Sequence, residues 1–249
     1  MKASCPPDAL LLVSDLHLSE QRPELTQAFM QFLDTLANAA GGLYILGDLF
    51  DAWIGDDDDT PLATTLAARL HQLSAAGTPI FLMHGNRDFL LGQRYAAACG
   101  ATLLSEPHLL QHADKRYLLL HGDTLCTRDA DYLAFRAQVR APAWQAQFLA
   151  KPLPERRAFA EEARARSKSM SSNKPEDIMD VTPEAVATIL QEHDVQFLIH
   201  GHTHRPNVHN LQVDGEPAWR LVLGDWRDTE AKYLRIDAAG AHMERFIYP

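Results

Sequence analysis

Seven side chains that could bind metal ions stand at or just after the ends of short apolar runs. They combine carboxylate, amide and imidazole groups and include no thiolate: Asp15, His17, Asp48, Asn86, His121, His202 and His204. Such a set suits divalent ions of intermediate hardness, such as Mn²⁺, Fe²⁺ or Zn²⁺. Seven ligands exceed one tetrahedral site, but they fill two sites if one carboxylate bridges the ions. We therefore expect a shared centre for two metal ions.

Five apolar runs deliver these side chains, and each has the length and composition of a buried β-strand. The runs cover residues 10–13, 43–46, 80–83, 117–120 and 197–199, and in four of them a glycine adjoins the polar group. In α/β sheets the carboxyl ends of parallel strands meet at one edge, where ligands bind. Taken singly, each polar residue has an ordinary explanation, such as helix capping by Asp15 or a turn at Asn86. Their repetition favours a common site.

Segments with helical spacing separate the early strands. Residues 24–42 place apolar side chains on one helical face, and residues 61–77 begin at Pro61 and end at Gly77. This alternation of strand and helix predicts an α/β fold with mainly parallel central strands. Residues 220–249 are typical of antiparallel edge strands with a turn near Gly240.

Length and composition limit the classes of protein that the chain can represent. Its 249 residues suit one large domain, alone or with an inserted subdomain. The formal net charge of −10 argues against a general nucleic-acid binder. No apolar stretch reaches the roughly 18 residues that a membrane-spanning helix needs. We expect a cytoplasmic chain whose membrane contact, if any, is peripheral.

Residues 128–174 differ from the rest of the chain in pattern and in charge. They show helix-like segments broken by prolines and no strand, with ten Lys and Arg against five Asp and Glu. A basic helical insertion on an acidic body is a candidate lid over a substrate, and a solvated helical excursion is the alternative. We place this cap at residues 128–180 within a single domain of residues 1–249. The four aspartates at 56–59 are expected to form a solvated loop.

The polar motifs together resemble those of the calcineurin-like metallophosphoesterases. The match is carried by DLH, GDLFD, GNRD, HGD and GHTH, which lie in this order between residues 15 and 204. The resemblance implies a four-layer α/β/β/α fold, in which two β-sheets pack face to face with helices outside. It also implies two ligand sets that share Asp48 as a bridge between two ions that clamp a phosphate. One set is Asp15, His17 and His204, and the other is Asn86, His121 and His202.

Arg87 narrows the reaction that this resemblance implies. Many metallophosphoesterases have histidine at this place, in GNHD, where this chain has GNRD. A phosphate that leaves from a pyrophosphate needs little protonation, but its developing charge benefits from a fixed guanidinium. We therefore expect cleavage of a pyrophosphate, with Asn86 and Arg87 in catalytic roles. The alternative is that Arg87 only pairs with Asp88 or another carboxylate.

Longer stretches are similar to the UDP-2,3-diacylglucosamine hydrolase family of lipid A synthesis. They are LYILGDLFDAWIGDDD, HGNRDFLLG, HGDTLCTRDADYLAFR, IMDV and LIHGHTHRP. The resemblance implies cleavage of UDP-2,3-diacylglucosamine to UMP and 2,3-diacylglucosamine 1-phosphate (lipid X) by water attack on the uridine-linked phosphorus. It implies two divalent ions per chain, usually Mn²⁺, and a peripheral place on the cytoplasmic face of the bacterial inner membrane. We expect a monomer that binds no nucleic acid.

The same resemblance implies which residues contact the substrate. The phosphate would meet Asn86 and Arg87, and the remaining contacts would hold the sugar head group, with His202 touching both metal and substrate. By position these contacts are Asp129, Arg164, Ser167, Ser171 and Lys174, although members of that family often have asparagine where this chain has Ser171. Apolar residues of the cap, such as Trp144 and Phe159, either line an acyl groove or pack the cap onto the body.

Two other functions fit the motifs less well. Another calcineurin-like phosphodiesterase, acting on nucleotides, would share the ligand set, and its substrate would distinguish it. A binding module that kept the fold but lost the metals would not need all seven ligands.

Overall fold

Two β-sheets and seven α-helices make up the described part of the chain. The computed structural model describes residues 8–171, 178–227 and 229–248, with the backbone only for 167–171. The strands are β1 (Leu10–Val13), β2 (Gly42–Leu46), β3 (Ile80–Met83), β4 (Ala101–Leu103), β5 (His108–His112), β6 (Lys115–Leu119), β7 (Phe197–His200), β8 (Asn207–Val213), β9 (Glu216–Val222), β10 (Glu230–Asp237) and β11 (Gly240–Ile247). The helices are α1 (Pro23–Thr35), α2 (Pro61–Ala75), α3 (Gln93–Ala98), α4 (Ala130–Val139), α5 (Pro142–Leu149), α6 (Leu153–Ser171) and α7 (Pro183–Glu192).

The first sheet places the ends of three parallel strands at one level. Its strand order is β11-β10-β1-β2-β3-β4, in which β1 to β4 run parallel and β10 pairs antiparallel with both β1 and β11. Val13 pairs with Ile45, and Leu46 pairs with Met83. Because these pairs close the strands, the chain leaves β1, β2 and β3 at the same edge.

The second sheet repeats this arrangement with different strands. Its order is β5-β6-β7-β9-β8, and β6, β7 and β9 are parallel. Leu119 pairs with Ile199, so the segments that begin at Leu120 and Gly201 leave the sheet side by side. The edge strands β5 and β8 are antiparallel to their neighbours.

Side chains alternate between two cores on either face of the first sheet. Leu11 and Val13 pack with α1 and α2, whereas Leu10 and Leu12 pack against the second sheet, where they meet Tyr117. A third buried cluster packs the other face of the second sheet against α7. Helices, sheet, sheet and helix therefore form four layers, and the predicted α/β/β/α fold is confirmed.

Three strands were missed by the search for continuous apolar runs. β4 has only three residues, and β5 and β8 are edge strands in which most side chains are half-buried or exposed. The interpretation of the C-terminal segment is partly wrong. β10 and β11 do form an antiparallel pair that turns before Gly240, but β9 lies inside the second sheet and runs parallel to β7.

The helices α4, α5 and α6 occupy the segment that we predicted as a basic cap, and arginines attach them to the body. Arg156 of α6 is almost fully buried, at 2% exposure, and donates to the carbonyl of Ile54 at 2.7 Å. Its guanidinium also forms a two-pronged ion pair with Asp57. Residues 56–59 form a loop, as predicted, in which the Asp57 and Asp59 side chains are 49% and 72% exposed. The prediction is incomplete, because Asp57 also holds α6 and Asp56 accepts hydrogen bonds from the N–H groups of Gly92 and Tyr95.

The aromatic residues of the cap pack on one another. Trp144 stacks on Phe148 with ring centroids 4.9 Å apart, and Phe159 meets Phe148 at 5.2 Å. Phe148 is buried, while Phe159, Leu149 and Phe135 remain about 40% exposed. Packing thus accounts for part of the cluster and leaves an apolar surface on the cap. Among the helices that the structure describes, none combines the length and apolar character needed to cross a membrane.

Replacing Arg156 by alanine should lower the free energy of unfolding by about 2–3 kcal/mol, because Ile54 and Asp57 lose a buried donor. Urea denaturation would measure the loss. Lys151→Ala is the matched control, since Lys151 forms an exposed pair with Glu155 at 3.8 Å, and it should change stability by less than about 0.5 kcal/mol. Equal effects from both variants would show that Arg156 does not attach the cap.

Candidate metal centre

The seven predicted ligands come together where the two sheets meet. Asp15, His17, Asp48 and Asn86 follow β1, β2 and β3 of the first sheet, and the three remaining histidines follow β6 and β7 of the second. The strands end at one level in each sheet, so the polar segments face each other across the junction. The residues form two groups with one carboxylate between them.

The first group consists of Asp15, His17 and His204. Nε2 of His17 lies 3.2 Å from Nε2 of His204, and Nε2 of His204 lies 3.4 Å from Oδ1 of Asp15. These three side chains have one donor atom each within 4.8 Å of one another. The donor atoms point at a common space, as ligands of one ion would.

The second group consists of Asn86, His121 and His202. The amide oxygen of Asn86 lies 2.9 Å from Nε2 of His121 and 2.9 Å from Nδ1 of His202. His121 donates its other ring N–H, at Nδ1, to the carbonyl of Leu46 at 2.9 Å, which leaves Nε2 directed toward the group. A backbone acceptor of this kind fixes the orientation of a metal-binding imidazole.

Asp48 lies between the two groups. Its Oδ2 atom is 3.7 Å from Nε2 of His17 and also 3.7 Å from Nε2 of His121. Its Oδ1 atom accepts a hydrogen bond from the N–H of Arg87 at 2.8 Å. One carboxylate oxygen is thus held by the backbone, and the other stands equally far from a member of each group.

Burial keeps two of the imidazoles in the form that binds metals. It lowers the pKa of His17 to about 3 and that of His202 to about 4, so both rings are neutral at neutral pH. Burial alone would lower the pKa of His121, but the negative charges of Asp48 and Asp15 outweigh this effect and raise the pKa to about 9. The carboxylates therefore favour positive charge at the centre of the site.

The ligand atoms of the two groups are placed better for binding metal ions than for hydrogen bonding to one another. Oδ1 of Asp15, which faces the first group, is buried without a hydrogen-bond partner in the described part of the chain. Ligands at right angles on one ion, with bonds of about 2.1 Å, lie about 3 Å apart. The separations of 2.9 to 3.4 Å within the groups match that spacing. The residues present therefore fit a pair of divalent ions.

Backbone strain is concentrated at this site. Five of the seven residues have φ between +49° and +65°, a left-handed conformation that is uncommon for residues with a side chain: Asp15, His17, Asp48, His202 and His204. Aspartate and histidine adopt it more readily than most residues do, at a cost of order 1 kcal/mol each. The strained turns direct consecutive polar groups inward, which an extended chain would not do.

Two glycines of the motifs are required by close approach rather than by conformation. A Cβ atom at Gly85 would collide with the carboxylate and the backbone nitrogen of Asp48. At Gly201 it would collide with the side chains of Ser14 and Asp15. The carboxylates of Asp48 and Asp15 thus lie directly against backbone that follows β3 of the same sheet and β7 of the other sheet.

Asp88 is a functional residue whose role the sequence did not reveal. Its buried carboxylate accepts hydrogen bonds from the N–H groups of Gly85 at 2.7 Å and of Leu49 at 2.8 Å. It therefore holds the GNRD turn against the segment that carries Asp48. The alternative pairing of Arg87 with Asp88 is absent, and no carboxylate in the described part of the chain pairs with the Arg87 guanidinium.

A polar network links the cap to the second ligand group, and sequence analysis missed it too. Tyr132 and Arg136 of α4 both donate to the buried carboxylate of Asp123, Arg136 through Nε at 2.7 Å. The Tyr132 ring stacks on His202, with ring centroids 6.2 Å apart. The other end of the network is Glu106, which pairs with Arg136 at 3.2 Å and accepts from the N–H of His121 at 2.7 Å.

The predicted substrate contacts have less uniform surroundings than the predicted metal ligands. Asp129 caps α4 by accepting from the N–H of Tyr132 at 3.1 Å. Arg164 of α6 forms an ion pair with Asp51, which lies 4.0 Å from Nδ1 of His17. Arg164 is thereby held close to the first ligand group. Lys174 and the side chains of Ser167 and Ser171 lie outside the described residues.

Comparison with known families agrees with this geometry. A family model for the calcineurin-like phosphoesterases matches residues 9–206, which include every predicted metal ligand. The chain therefore belongs to the calcineurin-like phosphoesterase family. Membership implies a dinuclear site for divalent metal ions, and two clusters supply candidate ligands for it, Asp15 with His17 and His204 and Asp15 with Asp48 and His121.

Individual relatives narrow the comparison. A protein named UDP-2,3-diacylglucosamine hydrolase from Cellvibrio japonicus is 56% identical over 87% of this chain and 90% of that protein. A protein of the same name from Klebsiella pneumoniae subsp. pneumoniae is 52% identical over 96% of this chain and 100% of that protein. Among solved structures, Vacuolar Protein Sorting 29 from Cryptosporidium parvum aligns with a TM-score of 0.46 and 13% identity over 97% of this chain and 98% of that one.

Replacing Gly85 by alanine should reduce the amount of metal bound per chain by at least half, because the new Cβ would displace the Asp48 carboxylate. Elemental analysis of purified protein would measure it. Gly215→Ala is the matched control: Gly215 has φ +82° in a turn with no atom within 4 Å of its Cβ position. That variant should lose about 1 kcal/mol of stability but no metal. Full metal content in Gly85→Ala would refute the role given to Asp48.

Proposed function

We propose that this chain hydrolyses the pyrophosphate of UDP-2,3-diacylglucosamine, yielding UMP and 2,3-diacylglucosamine 1-phosphate for lipid A biosynthesis. The observation that carries the proposal is the pair of ligand groups that flank Asp48. They occur in a chain 52% and 56% identical to two proteins named UDP-2,3-diacylglucosamine hydrolase. A hydrolase with this site would cleave a phosphoric anhydride by direct attack of water on phosphorus.

The proposed metal assignment follows the two groups. Asp15, His17 and His204 would hold one ion, Asn86, His121 and His202 would hold the other, and Asp48 would contact both. Mn²⁺ is the ion we propose, since the donors are oxygen and imidazole without thiolate. When bound, a pair of divalent ions lowers the pKa of water and neutralises charge on the phosphate.

Arg87 is the proposed stabiliser of the leaving phosphate. The backbone N–H of Arg87 donates to Asp48 at 2.8 Å, which holds the residue at the site. Burial, the charge of His204 and the positive charge of Arg87 all lower the pKa of His17, and burial has the largest effect of the three. A positive charge held there would stabilise the negative charge that develops on the leaving phosphate. Asn86, from the adjoining position in the same turn, would contact the phosphate on the other side.

The cap would hold the lipid half of the substrate. We propose that residues 128–180 form it, with Asp129, Arg164, Ser167, Ser171 and Lys174 around the sugar head group and His202 beneath. The exposed apolar side chains of Phe135, Leu149 and Phe159 would receive acyl chains. A substrate with two acyl chains resides in a membrane, so we propose that the protein works as a peripheral monomer on the cytoplasmic face of the bacterial inner membrane.

The test of the proposed function is hydrolysis of UDP-2,3-diacylglucosamine in isotopically labelled water by protein loaded with Mn²⁺. UMP should carry the label, because water attacks the phosphorus attached to uridine, and mass spectrometry of both products measures its position. Chelation should abolish the reaction and added Mn²⁺ should restore it. Label in the lipid product would refute the direction of attack. Hydrolysis of other nucleotide diesters alone would favour a different phosphodiesterase.

Replacing Arg87 by alanine should slow turnover by more than about tenfold through the loss of leaving-group stabilisation. The metal content should not change, because the backbone N–H of residue 87 still bonds to Asp48. Steady-state kinetics and elemental analysis on one preparation measure both quantities. Arg116→Ala, which removes an exposed arginine paired with Asp194, is the control and should keep full activity. An Arg87→Ala variant as active as this control would rule out the role.

A further inference from the structure

A cavity of about 410 Å³ adjoins the loop that carries His204, away from the three helices of the cap. Among the residues that line it are Asp180, Thr203, Arg205, Asn207, Arg220 and Lys232. Thr203 and Arg205 are the immediate neighbours of His204 in the chain, so the cavity lies beside the loop that carries this residue. None of the described residues of α4, α5 or α6 lines it. Its volume lies within the range of about 300–1,000 Å³ that is usual for small-molecule sites.

Two motifs of the sequence that the metal centre does not explain meet in this cavity. IMDV contributes Asp180, and GHTHRP contributes Arg205 beyond its two ligand histidines. Arg205 forms an ion pair with Asp180 at 3.1 Å, and Nη1 of Arg220 on β9 lies 3.8 Å from the same carboxylate. One carboxylate thus orders two arginines along the wall of the cavity.

Two charged donors other than Arg205 line the cavity, Arg220 and Lys232, and among its described lining residues Asp180 is the one carboxylate. The Arg220 side chain is 12% exposed, and its Nη1 atom is buried without a hydrogen-bond partner in the described part of the chain. Buried donors are normally satisfied, so a donor left in this state suits an acceptor supplied by a ligand.

In a larger cavity, of about 510 Å³, the arginine side chains already have hydrogen-bond partners within the protein. It is lined in part by Glu106, Arg136 and Arg140. Arg136 is already bonded to Asp123 and Glu106, and Arg140 donates to the carbonyl of Gly85 at 2.8 Å. The arginines of that cavity therefore serve the protein itself.

We propose that the cavity beside His204 is the subsite for the uridine of the substrate, whose attached phosphate would lie at the metal centre. This inference rests on the proposed function, which divides the substrate at the phosphorus and gives the lipid half to the cap. The base offers carbonyl oxygens to Arg220 and Lys232, and the ribose offers hydroxyl donors to the Asp180 carboxylate.

The test measures the binding of UMP to Mn²⁺-loaded protein by calorimetry. Lys232→Ala and Arg220→Lys should each weaken UMP binding by at least about tenfold, since the first removes a charged donor and the second replaces the planar guanidinium with an ammonium that cannot place its donors in the same positions. Binding of 2,3-diacylglucosamine 1-phosphate and of inorganic phosphate should not change. The lipid product binds at the metal centre and the cap, and inorganic phosphate binds at the metal centre. Arg245→Ala is the matched control: Arg245 is the cross-strand partner of Lys232 on β11 and does not line the cavity.

Unchanged UMP binding in Lys232→Ala and Arg220→Lys would overturn the inference. If the variants weakened the binding of UMP and of inorganic phosphate equally, the inference would also be overturned. The substitutions would then affect the charge at the metal centre and not a contact with uridine. Lys232 is half-buried at the surface, so its variant gives an answer even if Arg220→Lys does not fold. Wild-type protein that binds UMP but leaves UDP-2,3-diacylglucosamine intact would refute the proposed function and not the subsite.

Discussion

The carboxylate of Asp15 joins the two sheets through the site that both of them build. Asp15 follows a strand of the first sheet, yet it accepts a hydrogen bond from the N–H of His202 at 2.9 Å and lies 3.4 Å from Nε2 of His204. Both histidines follow a strand of the second sheet. The distances between ligands therefore depend on how the sheets pack, and a shift of one strand by one residue would turn its side chains to the opposite face.

The arginines of the cap also attach the cap to the body of the protein. A local excess of positive charge suggests a surface for phosphate or lipid, but several of these charges are used within the protein. Arg136 pairs with Asp123, Arg156 with Asp57 and Arg164 with Asp51. All three aspartates lie in segments that also build the metal centre or follow it closely. The position of the cap and the integrity of the site are therefore coupled through ion pairs.

Much of the site could be predicted from sequence because its signals are local. Central strands covered on both faces appear as continuous apolar runs, and each polar residue directly follows its run. The grouping of the ligands came from the family resemblance, since spacing along the chain does not say which strand ends are neighbours. The edge strands β5 and β8 have no such apolar run. The Arg156–Asp57 pair joins residues 99 positions apart, and only the three-dimensional packing selects such a partner.

The hydrogen bond from His121 to the carbonyl of Leu46 has a consequence for the choice of ion. It fixes both the tautomer and the tilt of the ring through the backbone of β2, before any cation arrives. Exchanging one divalent cation for another then leaves the imidazole where it is. The ring therefore offers the same donor atom in the same place to any divalent ion that binds there.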